Sequence, residues 1–229
     1  MQIGITERGD SAVDQSWLKW VVDGNPAILI SKNPGRLYVL LHCHTKNPNV
    51  IVHSTITGYG GTIVEPNVPK PADALDGYKR LVEKLGSERV VLRVDPVIPT
   101  IKGRALAKQI IDMAGLLAKT RVRISFLDLY PHVKQRLAAK KVPPLDYDFH
   151  APLELRKEIW GELGFPEICG EPGFNCIGCI SGTDCAVLGV EIEQKDFKQR
   201  PTCSCVGNKF ELLNNKKQCS HGCIYCYWK

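Results

Sequence analysis

The sequence lacks the features that would assign it to a membrane or a secreted class. No apolar segment approaches the roughly 20 residues that a helix needs to cross a bilayer. The first ten residues contain no apolar run and carry Glu7 and Asp10, so we expect no secretory signal. We also find no internal repeat and no low-complexity linker. These absences predict a cytoplasmic protein without a membrane segment.

The net charge of +6 is modest for a chain of 229 residues. A basic balance suits an anionic partner, such as a nucleic acid, a nucleotide or a phosphorylated metabolite. The simpler interpretation is a solvated surface with more lysine than glutamate. No arginine-rich tract or basic-aromatic motif favours nucleic acid. The charge therefore leaves an anionic or nucleic-acid-derived substrate open without identifying one.

Cysteine, in contrast, is abundant. The chain has ten cysteines, and nine of them lie between Cys169 and Cys226. In a secreted chain such a count would suggest disulfides, whereas in a reducing compartment clustered thiols are typical of metal ligands. We therefore expect a metal-ordered segment, whose bound metal contributes to its folding free energy.

The rest of the chain alternates short apolar runs with amphipathic runs, which is the pattern of βα units. We predict strands over 2–5, 27–31, 37–42, 50–56, 89–95 and 121–127, and helices over 13–22, 71–85, 104–119, 131–141 and 153–163. After residue 164, the one periodic segment is 184–190. The pattern predicts an α/β fold, a partial TIM-like barrel over 1–164 followed by a cysteine-rich lobe over 165–229. In such barrels the chemistry lies at the carboxyl ends of the strands.

The most informative segment is the C-terminal one, where Cys219, Cys223 and Cys226 have C-x3-C-x2-C spacing. Three thiolates from one loop can hold three irons of a cubic iron–sulfur cluster, which leaves the fourth iron free for a small molecule. Ordinary electron carriers close that position with a fourth cysteine. The alternative is a zinc knuckle in which His221 is the fourth ligand.

This motif, with the aromatic residue Tyr225 before its third cysteine, resembles that of radical S-adenosylmethionine (SAM) enzymes. The resemblance implies a [4Fe–4S] cluster whose open iron binds SAM. It also implies reductive cleavage of SAM to a 5′-deoxyadenosyl radical, which abstracts hydrogen from a substrate, and an electron donor such as flavodoxin or ferredoxin. In most members of the superfamily the motif lies near the N-terminus, whereas here it is C-terminal.

That departure is typical of a narrower family, domain of unknown function DUF1848, which the chain resembles in order over most of its length. The similar segments are 44–48 (HTKNP), 57–60 (TGYG), 65–69 (EPNVP), 93–96 (RVDP), 124–130 (ISFLDLY) and the cysteine loop. The resemblance implies a class of cofactor and no particular substrate.

The family resemblance also implies a second set of ligands, Cys169, Cys179, Cys203 and Cys205, for an auxiliary [4Fe–4S] cluster. The spacing alone leaves Cys176 as a substitute for Cys179, because the two form a C-x2-C pair. Zinc in place of the cluster, or two centres that share six cysteines, remain alternatives.

Contacts to SAM can be assigned by the same resemblance. Tyr225 would pack near the adenine, the turn at 57–61 would meet the amino group, and Arg93 would clamp the carboxylate. Asp95 would hold the ribose or the substrate. The cofactor-binding candidates are therefore Tyr225, Thr57, Gly58, Gly60, Arg93, Asp95 and Ser125. The alternatives are a plain βα turn at 57–61 and a structural Arg93–Asp95 ion pair.

Other polar residues near predicted strand ends are candidates for SAM or substrate contacts or for ordinary loop capping: Glu7, Arg8, Asp10, Lys46, Asn47 and Asp128. On a strand, His42 and His44 would share one face, and we interpret them as packing or substrate-lining residues. The sequence as a whole predicts a radical SAM enzyme. The alternative is a protein with structural zinc or iron–sulfur centres that binds nucleic acid through a basic surface.

Overall fold

A computed structural model describes residues 1–46, 48–194, 202–213 and 219–228. Strands and helices alternate along these residues. The elements are β1 (Ile3–Ile5), α1 (Leu18–Val22), β2 (Ala27–Ser31), α2 (Pro34–His44), β3 (Val50–Thr55), α3 (Pro71–Leu85), β4 (Val90–Val97), α4 (Ile101–Leu117), β5 (Arg121–Phe126), α5 (Pro131–Ala139), α6 (Leu153–Glu162), β6 (Glu167–Ile168), α7 (Gly182–Leu188) and β7 (Lys209–Glu211).

The seven strands form one parallel sheet in the order β6-β5-β4-β3-β2-β1-β7, curled into a half-barrel. Strands β1 to β6 are neighbours in chain order, and β7 returns to pair with β1. This arrangement confirms the predicted α/β fold and partial barrel. Because all the strands run the same way, their carboxyl ends meet at one edge of the sheet, where loops from every βα unit converge.

The sheet is buried on both faces, as expected for parallel strands. On the outer face, residues such as Leu29, Val52 and Leu92 pack against the helices. On the concave face, Ile28, Ile51 and their neighbours pack against residues of the C-terminal third, among them Cys179, Ile180, Cys185 and Leu188.

The residues after 164, which the composition predicts to form a cysteine-rich lobe, contribute both edge strands of the sheet. Strand β6 pairs with β5, and β7 pairs with β1 in the register Ile3↔Lys209 to Ile5↔Glu211. Helix α7 lies against the concave face in the same hydrophobic cluster. The cysteine-rich segment is therefore built into the half-barrel.

The strand predicted over 37–42 is wrong, because these residues belong to helix α2. Asn33 caps this helix by accepting a hydrogen bond from the Arg36 amide (3.0 Å), and Pro34 occupies its first turn. Both are signals of a helix N-terminus. Leu37 and Leu41, one helical turn apart, are buried together. A short apolar run cannot by itself distinguish a strand from a buried helical face.

Two further predictions are corrected in their boundaries. The first helix covers only Leu18–Val22 of the predicted 13–22, because Asp10 forms a turn by accepting the Ala12 amide (2.8 Å). Strand β4 continues through Pro96 to Val97, with an irregular register against β5, although the proline predicts that the strand ends before it. None of the helices among the described residues is long and apolar enough to span a membrane.

Candidate active site

A cavity of about 790 Å³ lies at the carboxyl ends of strands β1 to β5. The C-terminal third of the chain closes it. All seven cysteines predicted as cluster ligands line this one cavity: Cys169, Cys179, Cys203, Cys205, Cys219, Cys223 and Cys226. The sheet supplies its polar floor and walls, including Lys32, Arg93, Asp95 and Ser125. The fold thus brings two cysteine sets, separated in sequence, to one enclosed space.

The loop that carries Cys219, Cys223 and Cys226 is held by backbone contacts to the segment 64–67. The Ile224 amide donates to the Val64 carbonyl (3.1 Å), and the Asn67 side chain donates to the Ser220 carbonyl (2.8 Å). Gly222 has φ +69°, a conformation that favours glycine, and lies against Pro66. The C-x3-C spacing therefore folds into a tight turn whose position is fixed by the body of the protein.

A buried ion pair links the same loop to Asp10, in the segment that follows strand β1. His221 Nε2 lies 2.8 Å from Asp10 Oδ2, and both side chains are 4% exposed. Asp10 also accepts from Ser31 Oγ (2.8 Å) and from the Lys32 amide (2.6 Å). Although burial opposes ionisation of both groups, this pairing lowers the pKa of Asp10 and raises that of His221. In the alternative zinc knuckle His221 would instead be a metal ligand.

A buried carboxylate, Glu65, organises the wall next to Cys223. Glu65 is 1% exposed, and its Oε1 lies 2.9 Å from Lys32 Nζ and accepts from the Tyr225 hydroxyl. Its Oε2 accepts from Thr57 Oγ1 (2.7 Å). Burial raises the pKa of Glu65, but the charge of Lys32 and these hydrogen bonds bring it below its ordinary value. Glu65 therefore stays ionised and holds Lys32 in the cavity wall.

The charge of Lys32 acts on Cys223 in the C-terminal cysteine loop. Its ammonium also donates to the Asp95 carbonyl (3.1 Å) and lies over the Tyr225 ring at 5.3 Å. Burial raises the pKa of the Cys223 thiol to about 12, and Lys32 acts in the opposite direction. A positive charge at this point favours the thiolate, which is the form that binds metal.

The second cysteine set is assembled from three segments of the chain. Cys169 Sγ lies 3.5 Å from Cys179 Sγ, and the Cys179 amide donates to Cys205 Sγ (3.1 Å). Gly178 makes this approach possible, because a Cβ there would lie 2.4 Å from the backbone of Cys205. The hydrogen bond from Cys205 lowers the pKa of the Cys203 thiol to about 6. The pKa of the Cys179 thiol is lowered by hydrogen bonds from Cys169 and Cys205.

The remaining cysteines do not line the cavity. Cys176 is turned away from it, with its sulfur 3.1 Å from both the amide nitrogen and the carbonyl oxygen of Glu171. Cys185 is fully buried in the concave-face hydrophobic cluster, and Cys43 is exposed on α2. The ambiguous pair Cys176 and Cys179 is thus separated in space, with only Cys179 facing the other cysteines.

Arg93, Asp95 and Ser125 form a chain of contacts across the cavity. Arg93 Nη2 lies 2.8 Å from Asp95 Oδ2, and the Ser125 hydroxyl donates to Asp95. Burial lowers the pKa of Arg93, but Asp95 and the thiols Cys179 and Cys169 raise it strongly above its usual value. Arg93 therefore faces the second cysteine set, whereas Lys32 faces the first.

The glycine turn at 57–61 is placed outside the cavity lining. A Cβ at Gly58 would lie 3.1 Å from Leu106, and one at Gly60 would lie 1.9 Å from the Pro69 carbonyl oxygen. Thr57 is buried and bonded to Glu65. In the structure, Gly58 and Gly60 allow close packing, and Thr57 donates a hydrogen bond to Glu65.

The other polar candidates divide by position. Glu7, Arg8, Asp10 and Asp128 line the cavity; Glu7 is paired with Lys209, and Asp128 lies 2.7 Å from His150 Nδ1. His42, His44 and Lys46 are exposed at or just after the end of α2, so the predicted shared strand face does not exist. Asn47 lies outside the described residues.

Sequence reasoning misses three residues of this region. Lys32 lies between two predicted strands, and it directly follows strand β2, a position typical of site residues in barrels. Glu65 lies in one of the segments that resemble the family, but the resemblance gives it no role. His53 is fully buried on β3, and no pattern in its neighbouring residues distinguishes it from a core residue.

Among the described residues, no group of three or more His, Cys, Asp and Glu side chains is arranged as a site for a single metal ion.

The model of a family described as domain of unknown function (DUF1848) matches residues 23–228. No curated protein and no solved structure matches the chain.

Proposed function

The chain belongs to the domain of unknown function DUF1848 family, and we propose that it is a radical SAM enzyme. One observation carries the proposal: the seven cysteines predicted as ligands from motif and resemblance all line a single cavity at the carboxyl ends of parallel strands. That edge is where barrel enzymes carry their chemistry. Random placement of the nine cysteines between Cys169 and Cys226 would not be expected to bring seven of them to this edge of the sheet.

The first cysteine set fits the open-iron cluster. Three thiols lie on one loop that is hydrogen-bonded to the segment 64–67, and the charge of Lys32 partly offsets the burial that raises the pKa of Cys223. His221 is engaged by Asp10 and by the carbonyl of Asn67, which favours a cluster with three cysteine ligands over a zinc knuckle that includes His221. When bound, the cluster and SAM would supply the 5′-deoxyadenosyl radical that takes hydrogen from a substrate.

The second set fits an auxiliary cluster held by Cys169, Cys179, Cys203 and Cys205. A cubic cluster carries its cysteines on four different irons, so the ligands surround a volume and do not converge on one point. Arg93 and Lys209 supply positive charge beside these thiols. A thiolate-bound cluster is anionic, and buried cations offset the cost of placing that charge inside the protein.

The remaining residues of the cavity would bind SAM and substrate. Tyr225 belongs to the cluster loop, and its hydroxyl donates to Glu65, so its ring is held in one orientation. Arg93, Asp95 and Ser125 offer donors and acceptors in the lining of the cavity. Enclosure by the C-terminal third limits access of water, and positioning of this kind contributes more to radical chemistry than acid–base groups do.

The reaction also needs an electron donor, such as flavodoxin or ferredoxin, and a substrate that enters the same cavity. Both cationic and anionic side chains line that cavity, including Arg8, Lys209 and Glu211. Burial raises the pKa of Glu211 to about 7. Because Arg8 and Lys209 line the cavity, we propose a substrate with an anionic or nucleic-acid-derived end.

The test is an anaerobic assay of SAM cleavage by the parent and by Cys223→Ala. After reconstitution with iron and sulfide, the parent should contain roughly eight irons, and with dithionite and SAM it should form 5′-deoxyadenosine. Cys223→Ala should form none. Cys43→Ala is the matched control, because Cys43 is exposed on α2 and does not line the cavity.

Two outcomes would contradict the proposal. If Cys223→Ala still formed 5′-deoxyadenosine, the assignment of the catalytic cysteines would fail. If the reconstituted parent bound only zinc and cleaved no SAM, the alternative of a nucleic-acid-binding protein with structural metal centres would replace the enzyme.

A further inference from the structure

His53 is a buried imidazole for which the described structure offers no partner. It lies on strand β3, between Ile30 of β2 and Val91 of β4 in the sheet register, and its relative exposure is 0%. Neither Nδ1 nor Nε2 has a hydrogen-bond partner within the part of the chain that the structure describes. Buried polar atoms are almost always paired, so two unpaired nitrogens on one side chain call for an explanation.

The position of His53 links it to the cavity. Ile51, His53 and Thr55 are two residues apart on β3, so their side chains share its concave face. Thr55, two residues after His53, lines the cavity. Thr55 is next to Arg93 in the sheet register, and its hydroxyl also has no partner among the described residues. His53 therefore lies just beneath the side of the cavity that Arg93 and the second cysteine set form.

Charge interactions support this placement. Burial, followed by the charge of Arg123, lowers the pKa of His53 to about 3, and Arg93 and the Cys179 thiolate also act on it. The imidazole is therefore neutral, with one nitrogen that donates and one that accepts. A neutral donor can lie beside a cluster sulfur without adding a buried charge.

The carboxylate of Asp184, whose charge acts on His53, does not provide the missing partner. Asp184 Oδ1 lies 2.8 Å from Arg121, and its Oδ2 accepts from both the amide and the hydroxyl of Ser181. Arg123, on the neighbouring strand, is occupied by Glu167. Asp184 and Arg123 are thus already paired with other groups of the protein.

We propose that His53 donates an N–H hydrogen bond to a sulfur of the auxiliary cluster held by Cys169, Cys179, Cys203 and Cys205, and so sets the reduction potential of that cluster. His53 is then a positioning residue and not a catalytic one. Reduction adds negative charge to the cluster, so the hydrogen bond strengthens in the reduced state and raises the potential. This inference rests on the proposed function, specifically on the second cluster.

The experiment isolates that cluster in the full-length chain. Cys219, Cys223 and Cys226 are replaced together by alanine, which removes the first site and leaves the second. Into this background we place His53→Leu, which has no donor, and His53→Gln, which keeps an N–H. His42→Leu, on the exposed surface of α2, is the control for loss of a histidine. Iron content and the reduction potential by EPR-monitored titration are measured for each.

His53→Leu should lower the potential. At the midpoint potential of the triple-alanine background, we expect the ratio of reduced to oxidised cluster in His53→Leu to be about tenfold lower, which corresponds to about 59 mV for a one-electron couple. The potential of His53→Gln should stay close to that of the background, and the potential of His42→Leu should equal it. In protein labelled with ¹⁵N-histidine, the reduced cluster should show a nitrogen hyperfine coupling that both His53 variants lose.

Failure of this inference is distinguishable from failure of the proposed function. If the background variant retains four irons but His53→Leu leaves both the potential and the nitrogen coupling unchanged, the hydrogen bond does not exist and the enzyme proposal stands. If the background variant holds no iron–sulfur cluster, the second cluster and the role of His53 are both overturned. If His53→Leu fails to fold, the ¹⁵N coupling in the parent and its loss in His53→Gln decide the question.

Discussion

At the scale of single residues, the cavity wall depends on charges that are paired before any ligand binds. Glu65 is buried with Lys32, Thr57 and Tyr225 as partners, and Asp10 is buried with His221. Both carboxylates link the C-terminal cysteine loop to elements far away in sequence. Buried ion pairs add little net stability but are costly to break, so these pairs fix geometry more than they strengthen the fold.

Replacement of Glu65 by leucine should therefore destabilise the protein strongly. The change leaves the Lys32 ammonium, only 17% exposed, without its carboxylate. Breaking a buried pair typically costs about 3–5 kcal/mol, and we expect about 3 kcal/mol here because the Asp95 carbonyl still accepts from Lys32. The free energy of unfolding in urea measures the effect.

The control is Glu83→Leu, which removes the carboxylate of the exposed Lys79–Glu83 pair. Exposed pairs contribute little, so this variant should lie within about 0.5 kcal/mol of the parent. If Glu65→Leu were equally mild, Lys32 would not depend on Glu65 for its position.

At the scale of elements, local capping decides what the apolar pattern alone cannot. The run at 37–41 is apolar enough for a strand, yet Asn33 and Pro34 start a helix there. The predicted bounds of helix α3 are correct, because its apolar residues recur at helical spacing over fifteen positions and Gly86 ends it. The short strands β6 and β7 carry no such periodic signal, since each has three residues or fewer.

Helices α2 and α3 pack closely at a glycine contact, which gives a second prediction. A Cβ at Gly77 of α3 would lie 2.2 Å from the backbone nitrogen of Gly35 in α2. Backbone cannot move aside as a flexible side chain can, so Gly77→Ala should cost about 2 kcal/mol of the free energy of unfolding. Thermal or urea unfolding measures the change.

The same substitution elsewhere should have the opposite sign. Gly115 lies in α4, and a Cβ added there would meet no described atom within 4 Å, so Gly115→Ala should stabilise the protein by up to about 1 kcal/mol through helix propensity. A stable Gly77→Ala variant would mean that α2 and α3 can separate without loss of packing.

At the scale of the whole molecule, the cysteine-rich segment completes the half-barrel. It supplies both edge strands, covers the concave face and closes the cavity. Gly178 is the point at which the segment carrying Cys179 meets the one carrying Cys205. The second cysteine set therefore exists only when the segment is folded onto the sheet.

Substitution of Gly178 by alanine should remove the second cluster selectively. The added methyl would lie 2.4 Å from the Cys205 backbone and would force the two segments apart. We expect iron in the reconstituted protein to fall from roughly eight to roughly four atoms, with SAM binding by the first site retained. Elemental analysis measures the loss, and Gly115→Ala is again the control. Eight irons in Gly178→Ala would place the cluster ligands elsewhere.

The sequence by itself determined the class of fold, most of the helices and the chemical identity of the candidate ligands, because periodicity and cysteine spacing are local properties. It could not determine which thiols face each other. The tertiary structure decided that Cys179 lines the cavity and Cys176 does not, and that the 57–61 turn lies outside the cavity lining. It also decided that Lys32, Glu65 and His53 lie close to the cysteine sets. Those outcomes depend on contacts between residues distant in sequence, which the return of β7 to β1 and the curl of the sheet create.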